Sequence, residues 1–195
     1  MLQIVLIRPG STDYDRQERI QGALDIPLST EGTSEVARLA EELRDKEIAT
    51  IYAPTCQPAR QTADALAKAL KLKVKRLYRM QNLNQGLWQG MLIDDVRHKQ
   101  PKVYRQWQEQ PENVCPPDGE MLSQAEDRVR AAMIKLLRRH KEGRIALVLS
   151  EPLASLARQF IKQDELGDLW KAIGSHGCWE ILDAEPAKSP ALTTH

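Results

Sequence analysis

The chain has 195 residues, 42% of them hydrophobic, with 28 basic and 27 acidic residues and a formal net charge of +1. That length suits a single domain, and a near-neutral balance gives no global field to collect nucleic acid or an acidic membrane surface. Cys56, Cys115 and Cys178 are odd in number and far apart, which argues against a disulfide framework or a zinc site; no metal or other cofactor is expected.

Residues 2–7 are apolar and branched and end at Arg8-Pro9-Gly10, the pattern of a buried strand feeding a turn. Residues 11–28 are polar and loop-like. Ser29 is placed to cap a helix over about 31–45, where Val36, Leu39, Ala40 and Leu43 fall at helical spacing. A strand at 48–52, a helix from Pro58 to Leu70 and a strand at 73–77 follow. The stretch 80–120 is irregular, with one helix expected at 93–108 and a turn at Pro116-Pro117-Asp118-Gly119. Ala125, Val129, Ala132, Met133, Leu136 and Leu137 mark an amphipathic helix over 121–140. A buried strand at 145–149, a helix from Pro152 and a last strand at 178–182 complete the pattern.

Short apolar strands alternating with helices predict an α/β fold, a three-layer α/β/α sandwich around a mostly parallel sheet. Sites in such sheets lie at the carboxyl ends of the strands, so the loops starting at Arg8, Ala53 and Ser150 matter most. The domain is expected to span 1–185, with 186–195 a flexible tail. The run Leu2–Ile7 is too short for a signal peptide, and no stretch approaches the roughly 18 apolar residues of a spanning helix. The expectation is a soluble, cytoplasmic protein without a membrane partner.

The segment Leu6-Ile7-Arg8-Pro9-Gly10-Ser11-Thr12, followed by Arg19-Ile20-Gln21-Gly22, resembles the opening signature of the histidine phosphatase (phosphoglycerate mutase-like) superfamily. Pro27-Leu28-Ser29 with Gly32, then Tyr52 and Ala59-Arg60-Gln61-Thr62-Ala63, match later landmarks. Gly86-Leu87-Trp88-Gln89-Gly90, Pro117-Asp118-Gly119-Glu120 with Arg128, and Leu147-Val148-Leu149-Ser150 continue the series in order. The resemblance implies a phosphoglycerate mutase-like fold. It also implies a catalytic apparatus: a histidine that attacks phosphorus, a second histidine and two arginines that hold the phosphoryl oxygens, and an acid that protonates the leaving oxygen.

By that resemblance the nucleophile's position is Pro9, the second arginine's is Pro58, the acid's is Asn82 and the second histidine's is Glu151. Only Arg8 survives of the main roles. Arg60 does not substitute, because two residues along a helix is about 200° of rotation. Asp15 stands where the family commonly has asparagine. His98, His140, His176 and His195 fall at none of these positions. His176 sits in a Ser-His-Gly that imitates the missing motif, but it precedes a strand rather than ending one, and is expected to be a surface or loop residue.

The implied function is that of a catalytically inactive member, a pseudoenzyme, with a ligand- or partner-binding role. The pocket candidates are Arg8, Ser11, Asp15, Gln21, Gly22 and Glu151. An Arg8–Glu151 ion pair across neighbouring strand ends is the favoured structural reading of Glu151, with ligand contact as the alternative. One rival is a hydrolase of altered chemistry using Glu151, Asp15 or Asp118. The other is a structural or interaction protein with a filled cleft, a homodimer included. The ligand or protein partner is not specified by these residues. Cys56 lacks the spacing to Arg60 that a cysteine phosphatase needs. Trp88, Trp107, Trp170 and Trp179 read as packing, and Lys71, Lys73, Lys75 and Arg76 as a solvated strand edge.

Overall fold

The computed structural model describes residues 1–184; the tail expected at 186–195 lies outside the described residues. Strands β1 (Leu2–Arg8), β2 (Thr50–Ala53), β3 (Val74–Arg76), β4 (Gly143–Val148) and β5 (Cys178–Ala184) form one sheet in the order β3-β2-β4-β1-β5. β1 to β4 run parallel, and β5 lies antiparallel to β1 at the edge. The mostly parallel α/β sandwich expected from the strand pattern is what forms.

Strand alternation divides the core. Leu2, Ile4 and Leu6 of β1 face one side, and Val5 and Ile7 the other. Helices α2 (Thr30–Glu42) and α3 (Gln57–Leu70) cover the second side through Val36, Leu39, Ala59, Ala63 and Leu66. Helices α6 (Leu122–Arg139) and α7 (Leu153–Lys162) cover the first through Ala125, Val129, Met133, Leu153 and Leu156. Both faces are therefore buried, which is why the strands read as continuous apolar runs.

Three elements depart from expectation. The loop-like stretch 11–28 contains a short helix α1 (Asp13–Arg16), closed by a capping box in which Thr12 and Asp15 satisfy each other's backbone N–H groups. The single helix expected over 93–108 is two, α4 (Ile93–Lys99) and α5 (Pro101–Glu109). Pro101 disfavours helical geometry at Gln100, whose φ and ψ are −134° and 57°, and it opens the second helix where its missing N–H costs nothing. A short helix α8 (Leu169–Ile173), N-capped by Asp168, also precedes β5. Trp88, Trp107 and Trp170 are buried and pack edge-on or tilted against one another, as their reading as packing residues requires.

The loop leaving β1 is pinned against α2 and α3. Gly10 N–H donates to Thr62 Oγ1 at 3.2 Å, Ser11 N–H to Glu35 Oε2 at 2.8 Å, and Ser29 N–H to Ser11 O at 2.9 Å. The contact is so close that a Cβ on Gly32 would overlap the Ser11 carbonyl. Gly32→Ala should therefore cost about 1–3 kcal/mol through overpacking, although alanine is intrinsically the better helix residue. A lowered urea midpoint is the expected readout; an unchanged or raised midpoint would show that the loop yields instead.

Candidate functional site

Five chain segments meet at the carboxyl end of the parallel strands, among them the stretch after β3 that carries Asn82 and Gln85. The loops after β1 and β4 arrive side by side because Leu149 N–H extends the ladder to Ile7 O at 3.0 Å. The start of α3 brings Pro58. The segment before β5 arrives from the opposite direction. Together they surround a cleft of about 50 Å³ whose lining includes Pro9, Asp15, Gln21, Gly22, Pro58, Asn82, Gln85, Ser150, Glu151 and His176.

Arg8 ends β1, and its Nε donates to Glu151 Oε1 at 2.7 Å. Its Nη1 donates to Glu180 Oε1, on β5, at 3.0 Å. The second Glu151 oxygen accepts from Ser155 N–H at 3.1 Å and Ser155 Oγ at 2.7 Å. Glu151 thus caps the first turn of α7 while neutralising Arg8, and the helix N-terminus favours its charge. The side chains of Arg8 and Glu151 are 12% and 3% exposed. Burial opposes the Arg8 charge, but Glu151 and then Glu180 outweigh it, and the guanidinium pKa is held above its ordinary value. Glu180 also meets Arg158 at 3.4 Å, which extends the network along the sheet edge.

Of the candidates named from the sequence, Asp15, Gln21, Gly22 and Glu151 line the cleft together. Arg8 and Ser11 do not. Arg8 is occupied by its two carboxylates, and buried Ser11 turns its N–H and Oγ to Glu35. Asp15 Oδ2 accepts from Thr12 N–H at 2.7 Å and lies 2.8 Å from Thr12 Oγ1, which is 2.9 Å from Gln21 Oε1. Asn82 Nδ2 donates to Gly22 O at 3.1 Å, while Asn82 Oδ1 and Gln85 Oε1 are buried without a partner. Asp118, offered as an alternative acid, lies in a surface turn with φ 56° and is not on the lining. Cys56 is off the lining as well, and burial pushes its thiol pKa up, so it is held as the poorly nucleophilic thiol. Arg60 points to solvent.

Residues 4–194 match the family described as the histidine phosphatase superfamily, branch 1. This chain belongs to that superfamily. It is 30% identical over 193 residues to phosphoserine phosphatase 1 of Hydrogenobacter thermophilus, covering 98% of this chain and 91% of that protein. It is also 30% identical over 149 residues to phosphoglycerate mutase-like protein 4 of Arabidopsis thaliana, covering 75% of this chain and 65% of that one. Among solved structures, a mycobacterial glucosyl-3-phosphoglycerate phosphatase superposes with a TM-score of 0.82 at 24% identity, over 95% of this chain and 99% of that one. YhfR of Bacillus stearothermophilus also gives 0.82, at 23% identity over 97% and 98%; these two likenesses speak to the fold.

In this superfamily member the cleft lining carries the carboxylates of Asp15 and Glu151 and no lysine or arginine. One residue that sequence reasoning set aside also belongs to the cleft. His176 lines it, with Nε2 3.9 Å from Asp15 Oδ1. It does precede a strand, but β5 is antiparallel, so the start of β5 lies at the same end as the finish of β1. Gly177 N–H donates to Pro9 O at 2.8 Å and draws His176 in. Strand direction was the missing information, and nothing in the residues of β5 signals it: its run Cys178–Ala184 is as apolar as that of β1.

The Arg8–Glu151 pair should behave as a buried pair. Glu151→Ala strands Arg8 with only Glu180 and removes the cap on Ser155, and should cost about 3 kcal/mol in urea unfolding. Glu151→Gln keeps acceptors for Ser155 and should cost less. A loss below about 1 kcal/mol for the alanine variant, the scale of an exposed pair, would contradict this.

Proposed function

We propose that this superfamily member is a pseudoenzyme: it does not transfer phosphoryl groups by the family's phosphohistidine route, and its cleft binds a small neutral or cationic ligand or a protein surface. By resemblance, Pro9, Pro58, Asn82 and Glu151 stand where the family's nucleophile, second arginine, acid and second histidine belong. The observation that carries the reading is the Arg8–Glu151 pair, because the one cation left from that apparatus is consumed by a carboxylate standing in the second histidine's place. Pro9 has no nucleophile and no N–H to offer an oxyanion. Asp15 adds repulsion: two unit charges 4 Å apart interact by roughly 4 kcal/mol at an effective dielectric near 20. A phosphate dianion is disfavoured there, and a donor-bearing or cationic group meets Asp15 and the unpartnered oxygens of Asn82 and Gln85.

The expected result is no turnover of p-nitrophenyl phosphate or phosphoserine above background. Hydrolysis that co-purifies with the protein and disappears in Arg8→Ala would overturn the reading. The combined reversion Pro9→His, Pro58→Arg, Asn82→Glu and Glu151→His should recover activity only in part, because the surrounding shell now positions Arg8 for Glu151.

A second reading is favoured by the Asp15–His176 approach. A carboxylate beside an imidazole on a cleft lining is the arrangement of a general acid–base pair, which would support a hydrolase of altered chemistry. Glu151 is a poor candidate for that work because its oxygens are taken by Arg8 and Ser155. This reading requires that any hydrolysis found across ester and amide substrates vanish in His176→Ala and persist in Arg8→Met; hydrolysis indifferent to His176 removes it.

A further inference from the structure

Among the described residues a second concavity is larger than the cleft. A groove of about 460 Å³ lies between the stretch Lys75–Met80 and one stripe of α6. That volume falls within the range of roughly 300–1,000 Å³ typical of small-ligand sites. On α6 the lining residues Arg128, Ala131, Ala132, Lys135, Leu136 and Arg139 recur at helical spacing, so they form one face. The opposite wall adds Lys75, Arg76 and Arg79. The groove is thus lined by six cations and no carboxylate.

Two of the six are spoken for. Arg128 binds Glu120 and the carbonyls of Arg79, Gln81 and Asn82, and Arg76 binds Asp64. Even so, Arg76 Nη1 is buried without an acceptor. Lys75 Nζ sits over the Tyr52 ring at 5.6 Å. Among the described residues Arg79, Lys135 and Arg139 have no carboxylate partner within ion-pair distance, and Lys75 has none either. The floor is apolar, made by Tyr52, Leu77, Met80 and Leu136, and the Tyr78 ring stands exposed at the rim.

We propose that this groove binds a nucleoside polyphosphate, with the phosphates held by Arg79, Lys135 and Arg139 and the base against Tyr78 and the apolar floor. A purely inorganic anion would satisfy the cations but leave the apolar floor uncovered; an apolar ligand would leave the cations facing one another. A ligand carrying a planar ring at one end and several negative charges at the other satisfies both, through charge-assisted contacts and stacking. The site is separate from the cleft, and the inference does not rest on the reading of the cleft as inactive.

The test is isothermal titration of the full chain with ATP, tripolyphosphate and a polyglutamate peptide at low salt. ATP should bind saturably with a stoichiometry of one, more tightly than tripolyphosphate and the peptide, and more weakly as salt rises. Arg79→Glu/Lys135→Glu, which alters two exposed side chains without ion-pair partners, should weaken ATP by at least about tenfold, which is a loss of 1.4 kcal/mol. Tyr78→Ala should weaken ATP and leave tripolyphosphate unchanged. Absence of saturable ATP binding, or ATP binding indifferent to the double charge reversal, overturns the proposal. Tripolyphosphate matching ATP, or the peptide exceeding it, overturns it as well.

Discussion

At the end of β1 the guanidinium of Arg8 meets two carboxylates, Glu151 from the start of α7 and Glu180 from β5. This contact ties the parallel strand β1, the antiparallel edge strand β5 beside it and the helix that follows β4 into one unit. The pair is almost wholly withdrawn from water, so neither charge is tolerable without the other. Ser155 completes the arrangement by taking the carboxylate's second oxygen. The geometry of the cleft follows from it. With Arg8 turned into the network, the charges left on the cleft lining are those of Asp15 and Glu151, with His176 beside Asp15.

Membership of the histidine phosphatase superfamily and this local chemistry pull in different directions. The scaffold that delivers strand ends to one point is intact, and each loop arrives where the fold would place it. What stands on those loops is proline at two positions, an amide at a third and a carboxylate at a fourth. Two of these choices have clear structural value: Pro58 sits in the first turn of α3, and Glu151 caps α7. On the proposed reading of the cleft as inactive, side chains chosen for holding the fold rather than for reactivity are the expected outcome, since catalytic sites commonly trade stability for function.

Much of the scaffold was legible in the residues. Branched apolar runs buried on both faces read directly as parallel strands, and the helical stripes of α2, α3 and α6 read as their covers. The landmarks around Arg8, Gly22 and Ser150 located the cleft. Asp15 and Glu151 were named from the sequence as its charges, and both lie on its lining. Arg8 and Ser11 were less legible, because a sequence position at a loop does not say whether a side chain faces the cleft or a neighbouring carboxylate. His176 is a loop residue, as expected, but its place on the cleft lining was not legible because the direction of an edge strand is a tertiary property: local pattern gives β5 but not its antiparallel sense. The basic groove was hidden for a similar reason. Lys75 and Arg76 look like a solvated edge alone, and become one wall of a site only when α6 brings Lys135 and Arg139 opposite.

The central claim, that Glu151 has cancelled Arg8 as a phosphate ligand, is tested most directly by titrating orthophosphate and phosphoserine into the Arg79→Glu/Lys135→Glu protein, where the basic groove is out of play. The protein should show no saturable binding up to millimolar concentrations near neutral pH. Saturable binding that is abolished by adding Arg8→Ala would contradict the claim, since it would mean that Arg8 leaves Glu151 to hold phosphate.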